Sequence, residues 1–574
     1  QEFYMKTNIL ILSVSSLFVA GTLSSCTESW LDVGSKTESN SSNYYKSQDD
    51  GLRSLYACYD GWQRTVSGGP DFTLYQLTET MSDECFGGTG NTDGRNTQIL
   101  DRFDMNEAPS YTDMHNKLWG LYYAAVFRCN EFIDKAEGIS WDDTRAKDTY
   151  LGETHAIRAI CYFDIVRTWE RIPLLIHATK DNVPQANPDS VYSLIVKDLT
   201  YAADKIPADA YPKADAATND GHITRYAAMG MLARVYLFYD GVYNNNEGKP
   251  MPGGLTKAKA LAYCEAIIQS GEYGLVNRFK DLWPASSDDK TGNYIDHWVD
   301  KSSYVGVGNK ETVLSLKFNY TGDYDGNEDG NRFVVMLGLR TNGDVYNRYG
   351  QGWGALTVNP KQAAVYGQGD SRRQASIIDC QQLQHYEQKY IADQREYTGY
   401  AIKKYTPLSK NMTNSDGTTS LVSYLQGDMA GDFMISQYQD WVLLRYADVL
   451  LMASELGSSH AQDYLNEVRK RAYTQSDGSL NGNYTVISAT KENIWRERQK
   501  EFAFEGIRYW DELRQGLSVA SNQIAEHNTV LLSGGVKEKV NIDALNIVKK
   551  RGFCQIPLTQ ITLSNGVLKQ NAGW

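Results

Sequence analysis

The sequence predicts a mainly α-helical protein: a scaffold of tetratricopeptide-like helix pairs, interrupted by a large loop-rich insertion containing short strands. Three observations carry this expectation. Apolar side chains recur at three- and four-residue steps through about residue 270 and again from about residue 440. Between them, residues 272–430 are rich in Gly, Asp, Asn and Tyr, too long for an ordinary connection and therefore a loop-built subdomain. The helical stretches also fall into pairs of similar size, although the 34-residue period of such repeats is too degraded to be read from the sequence.

The elements follow in order. Leu52, Leu55, Tyr56, Tyr59 and Trp62 line one face of a first helix behind a Ser47/Asp50 capping box. A first irregular stretch, residues 68–109, interrupts the first helix pair. Helices are expected near 112–137, 148–170, 190–206, 224–240 and 256–270; Ser190 and Thr256 are candidate N-caps and Gly138 and Gly271 candidate stops. Within the long insertion, Val313–Phe318 and Phe333–Leu339 read as strands. Helices return near 440–456, 460–474 and 490–514. In the last, Glu497, Glu501 and Glu505 repeat every four residues beside Arg496 and Lys500, with Phe502, Ile507, Trp510 and Leu513 as apolar faces, which predicts one long charge-laced packing helix.

At the front, Lys6, the apolar run Ile9–Ala20 and Leu23-Ser24-Ser25-Cys26 make a secretion signal with a lipobox. The run is too short to span a bilayer, which needs about 20 residues. Residues 1–25 are thus expected to be a signal peptide, with Gln1–Tyr4 a scar ahead of the natural start at Met5, and Cys26 the lipidated first residue of a single domain 26–574. Lipidation would anchor the protein to a membrane without spanning it. The seven remaining cysteines show no CxxC pair and no repeated spacing, so neither a disulfide framework nor a zinc site is indicated, and buried free thiols are expected. A net charge of −13 argues against nucleic acid as a partner.

Catalytic signatures are missing. There is no HExxH, GxSxG or GxxxxGK[ST], the eight histidines are dispersed, and doublets such as Asp83/Glu84 or Asp288/Asp289 do not establish a glycosidase pair. Binding fares better, because the irregular segments set aromatic rings beside short polar side chains, the mixture that sugar rings and hydroxyls require. The candidates are Asp83, Phe86, Asn91, Asp93, Arg95 and Asn96 in the first insertion, and Trp283, Tyr294, Asp296, Trp298, Tyr320 and Tyr324 in the second. Asp325-Gly326-Asn327-Glu328-Asp329-Gly330 matches the opening of a calcium loop, but position 12 is Met336 instead of a bidentate Glu. An Asp/Asn/Gly-rich turn is the primary reading, and a partial calcium (Ca2+) site at Asp325, Asn327 and Asp329 the alternative.

Several blocks resemble one family. Ile494–Gln515, IWRERQKEFAFEGIRYWDELRQ, resembles the "ERxxEFAFEGxRYWDLxR" stretch of the SusD/RagB-like nutrient-binding outer-membrane lipoproteins of Bacteroidetes. Asp440–Glu455 resembles that family's "RYADVLLMxAE", Leu465–Ala472 its "LNxVRxRA", and Glu153–Leu174 its "AxxLRAxxYFxLVxxFGxVPL". Gly221–Tyr239 resembles "GRxTxxAAxxLLARVYLY" with His222 in place of Arg, and Gln570–Trp574 the terminal "QNPGY" with Ala572 and Trp574 as departures. The resemblance implies four helix pairs as scaffold and a glycan site formed by an early loop and the middle region. It also implies a cell-surface glycan-binding lipoprotein, not an enzyme, that delivers oligosaccharide to a SusC-like TonB-dependent outer-membrane transporter. A peptide-binding lid of the same kind of transporter is the alternative within the family, and a surface glycan hydrolase the alternative outside it.

Overall fold

The computed structural model describes residues 44–287, 303–319, 329–340, 349–383, 391–413, 415–423 and 437–574. Ser47 opens α1 (Gln48–Ser67) with the expected capping box, its hydroxyl accepting from the Asp50 N–H while the Asp50 carboxylate accepts from the Ser47 N–H. The antiparallel partner is α2 (Asn116–Lys135), which is followed by α3 (Thr144–Trp169) and α4 (Pro188–Lys205), then α5 (Arg225–Tyr243) and α6 (Lys257–Gln269). A fourth pair, α7 (Tyr446–Leu456) and α8 (Ala461–Ala472), docks on α6 only after the long insertion. The four-pair scaffold is therefore present, its last member contributed by chain that returns from far along the sequence.

Polar bolts hold neighbouring pairs in register. Arg158 on α3 donates two hydrogen bonds of 2.8 Å to Asp198 on α4 and one of 2.7 Å to Asn130 on α2. Glu153, fully buried on α3, accepts from Tyr59 at 2.5 Å, Tyr211 at 2.6 Å and His222 at 2.8 Å. His222, the departure from the family pattern, thus still supplies a donor to this carboxylate, which raises its own pKa against the opposing effect of burial. All seven described cysteines are buried and free.

Several local expectations change. The N-cap of α4 is Asn187, with Pro188 at the first helical position, instead of Ser190. The helix expected from residue 440 begins as a strand, Trp441–Arg445, paired antiparallel with Thr312–Leu316, and turns helical at Tyr446. Phe333–Leu339 is not a strand; it holds the helical turn Val334–Leu337, whose Val334, Val335 and Leu337 are buried together, so its apolar run serves packing on one side.

The largest correction concerns the predicted long C-terminal helix. It is broken into α9 (Lys491–Glu501) and α10 (Arg508–Leu513) by a turn in which Phe504 and Gly506 have φ of 62° and 82°. The turn's backbone is claimed by other groups. Glu84 accepts from the Phe504 N–H at 2.9 Å and Glu79, on the short helix Leu74–Thr80, from the Gly506 N–H at 2.6 Å. A Cβ on Gly506 would lie 2.9 Å from the Trp441 ring, so a larger residue is disfavoured by conformation and by space alike.

The regular glutamates do not face solvent. Glu497, Glu501 and Glu505 are each at most 4% exposed. Arg445 bonds to Glu311, Glu501 and both oxygens of Glu505 at 2.7–2.9 Å. Arg471 joins Glu311 to Glu501, Arg372 reaches Glu497 and Glu501, and Lys404 donates to Glu505 at 2.6 Å. Three guanidinium groups hold the Glu501 carboxyl far below its usual range despite burial.

Two predictions follow from this interior. Glu501→Ala takes one carboxylate from each of three buried guanidiniums and should cost about 3–5 kcal/mol in urea-induced unfolding; a loss under about 1 kcal/mol would show that the network is not a structural tie. The second concerns Glu79 and Glu84, each of which has one oxygen with no donor. Burial raises both carboxyls, Glu79 from 4.5 to about 7. A raised carboxyl stabilises the fold fully below about pH 4.5, and that contribution is lost as pH rises through about 7. Glu79→Gln keeps the acceptor for Gly506 and puts a permanent donor beside Glu84, so it should lose less stability than the parent between pH 5 and pH 8. Parallel stability curves would contradict the raised Glu79 carboxyl.

Candidate functional site

The two insertions are built into one another. Cys85–Gly88 (β1) pairs antiparallel with Ala355–Val358 (β3, following β2 at Thr312–Leu316), joining residues some 270 positions apart into a ribbon. Beyond it, Arg395 gathers the loop 91–94 by its carbonyls, bonding to Asn91 O and Asp93 O at 2.8 Å and to Gly94 O at 3.1 Å. The Asn91 N–H donates to Asp393 O at 2.7 Å, and Arg340 holds the Asp393 carboxylate at 2.9 Å. Beneath lies a buried set in which Arg102 pairs with Asp101 and Glu396, whose carboxylates in turn accept from the Gly87 and Gly88 N–H groups. Burial raises Asp101 to about 7.

A cavity of about 320 Å³ opens where this loop meets the middle insertion. Phe72, Val335 and Met336 give it apolar wall, Tyr111 and Trp353 bring half-buried aromatic rings, and Asp71, Asp93, Asn96 and Arg332 supply polar groups. The Asp71 carboxylate lies beside the Tyr111 hydroxyl; burial first and this carboxylate second push the hydroxyl's pKa well up, so it keeps its proton. Trp353 is presented by a glycine-rich turn. Gly352 lies against Gly338 so closely that a Cβ would come within 2.3 Å of the Gly338 Cα, and Gly354 has φ of 64°. The Trp353 N–H is fastened to Val335 O at 2.9 Å. Rings held this way are pre-oriented, and a planar apolar face beside directional donors and acceptors is what a pyranose ring with hydroxyls can use.

The predicted residues divide sharply. Asp93 and Asn96 line the cavity. Asn91 and Arg95 flank it, Arg95 bonding to Glu107 at 2.7 Å and to Glu538 at 3.3 Å, so it braces the loop. Asp83 forms a two-pronged pair with Arg508 at 2.8 Å and belongs to the scaffold. Phe86 is 0% exposed on β1 and Trp283 is 2% exposed with the Lys404 ammonium 4.5 Å from its ring centroid; neither has a face left for a ligand, because both complete the core. Tyr294, Asp296, Trp298, Tyr320, Tyr324, Asp325 and Asn327 lie outside the described residues. Asp329 is described, and its carbonyl accepts from the Asn319 N–H at 3.0 Å. Tyr111, Trp353 and Arg332 were missed by the sequence reading. For Trp353 a signal existed, since a tryptophan among Gly350, Gly352 and Gly354 has backbone shaped for presentation.

Comparison with known proteins agrees with this architecture. Two family models match, "SusD family" over residues 310–574 and "Starch-binding associating with outer membrane" over residues 30–237. SusD-like protein P38 of Formosa agariphila is 22% identical, the match covering 90% of this chain and 92% of the relative. A SusD-like protein of Bacteroides ovatus is 23% identical over 89% and 82% of the two chains. Among solved structures, surface glycan-binding protein A from Bacteroides fluxus superposes with a TM-score of 0.69 at 22% identity, covering 92% of this chain and 99% of its own. Surface glycan-binding protein A from Bacteroides thetaiotaomicron in complex with laminarihexaose gives 0.67 at 20% identity, covering 92% and 100%. With helix pairs, C-terminal motif and both halves of the sequence matched, the chain belongs to the SusD/RagB-like family.

Proposed function

We propose that this protein is a cell-surface glycan-binding lipoprotein that captures an oligosaccharide in the cavity between its two insertions and passes it to a SusC-like TonB-dependent outer-membrane transporter. The observation that carries the reading is the pairing of half-buried Tyr111 and Trp353 with Asp93, Asn96 and Asp71 in one cavity braced from behind by Arg395. The names of the relatives support the ligand class: the solved neighbours include a laminarin-binding SusD-like protein and a laminarihexaose complex. Outer-membrane placement is supported by the family description. No described helix is long and apolar enough to cross a membrane, which fits attachment through a lipidated Cys26.

The work proposed is binding without bond cleavage. Ring faces would stack on the sugar, while Asp93, Asn96 and Asp71 orient its hydroxyls; bracing the loop beforehand limits the ordering cost of association. Calorimetric titration against a panel of oligosaccharides that includes laminarihexaose should find a saturable ligand. Trp353→Ala should weaken it roughly tenfold, the typical loss when a central aromatic anchor is truncated, with the melting temperature little changed. Retained affinity in that variant would move the site elsewhere. Prolonged incubation with the bound saccharide should return it intact by chromatography; shortened products would establish a hydrolase instead.

A further inference from the structure

Arg332 stands apart from the other arginines around this cavity. Arg340 is paired with Asp393, Arg102 with Asp101 and Glu396, and Arg95 with Glu107, while Arg395 is spent on backbone carbonyls. The Arg332 guanidinium lines the cavity half-buried, and among the described residues it has no ion pair or hydrogen bond. A second cation lies beside it. A Cβ at Gly69 would be 3.7 Å from Arg332 Nη2 and 3.7 Å from Lys117 Nζ, so one glycine is flanked by two positive groups. Neither carboxylate of the same cavity forms an ion pair with Arg332: Asp71 lies beside the Tyr111 hydroxyl, and Asp93 accepts from the Gly90 N–H at 2.8 Å with Arg340 Nη1 at 3.5 Å.

Arg332 and Lys117 thus stand beside one glycine with no ion-pair partner among the described residues, in a chain of net charge −13. We propose that the cavity accepts an oligosaccharide bearing an acidic substituent, seated against Arg332 and Lys117 at its wall. The inference rests on the cavity being the glycan site. The planar guanidinium suits a two-oxygen anion, either a uronate carboxylate or a sulfate ester, and the exposed Lys117 supplies a second point charge at the rim. Asp93 and Asn96 would remain for hydroxyl groups.

The test titrates the whole protein and its Arg332→Gln variant with three hexasaccharides: an oligogalacturonate for the carboxylate, a sulfated oligogalactan for the sulfate, and neutral laminarihexaose. One acidic probe should bind at least tenfold more tightly than the neutral one, and Arg332→Gln should weaken that probe roughly tenfold, a larger loss than it causes in any neutral binding. Raising the salt from 20 to 200 mM should weaken the acidic probe alone. Arg332→Lys, which keeps the charge but not the fork, should recover part of the loss. Neutral binding equal to or tighter than both acidic probes, abolished by Trp353→Ala and indifferent to Arg332→Gln, overturns the acidic preference and leaves the glycan site standing. Silence from all three probes overturns the preference and the glycan reading together.

Discussion

The buried junction of Arg445 with Glu311, Glu501 and Glu505 is the tie on which the rest of the structure depends. Its members come from distant parts of the chain: Glu311 precedes the strand Thr312–Leu316, Arg372 and Lys404 belong to the middle insertion, Arg445 ends a strand, Arg471 lies on α8, and Glu501 and Glu505 bracket the break after α9. Each charge is desolvated, so removing any member takes a partner from another buried charge. The insertion, the fourth helix pair and the C-terminal segment are thereby obliged to assemble in one arrangement. An apolar core of equal size would give comparable burial with less directionality, since guanidinium forks accept carboxylates only in particular orientations.

That obligation reaches the cavity between the insertions. The turn after Glu501 is held by Glu79 and Glu84 from the first insertion, and β1 follows directly, pairing with β3. The loop 89–97 therefore stands on the same carboxylates that terminate α9. The charged interior and the cavity are linked through a short path: the charged junction sets the turn, the turn sets β1, and β1 sets the loop that lines the cavity. Arg395 completes the support by gathering three carbonyls that would otherwise need water.

Reading the sequence succeeded where short-range periodicity governs. Helix pairs through residue 270 and the capping box at Ser47 were visible because burial there follows a 3.6-residue repeat. It failed where a distant group decides the local backbone. Nothing within Ile494–Gln515 itself announces that Phe504 and Gly506 will leave the helix, apart from the glycine, because the acceptors that claim their N–H groups lie 420 and 427 residues away. Two of the aromatic candidates went to the interior for a related reason. Phe86 and Trp283 share a composition with binding residues, yet the core takes them, whereas Trp353 and Tyr111 are left half-open by neighbours that no window of sequence contains.

By itself, then, the sequence determined the family and the mainly helical scaffold, since motifs and amphipathic periods are local properties. Only the tertiary structure decided which glutamates are interior, where the last long helix breaks and which rings and cations face a common cavity. Exposure and charge pairing are sums over neighbours brought together by folding, and a residue's own identity does not contain them.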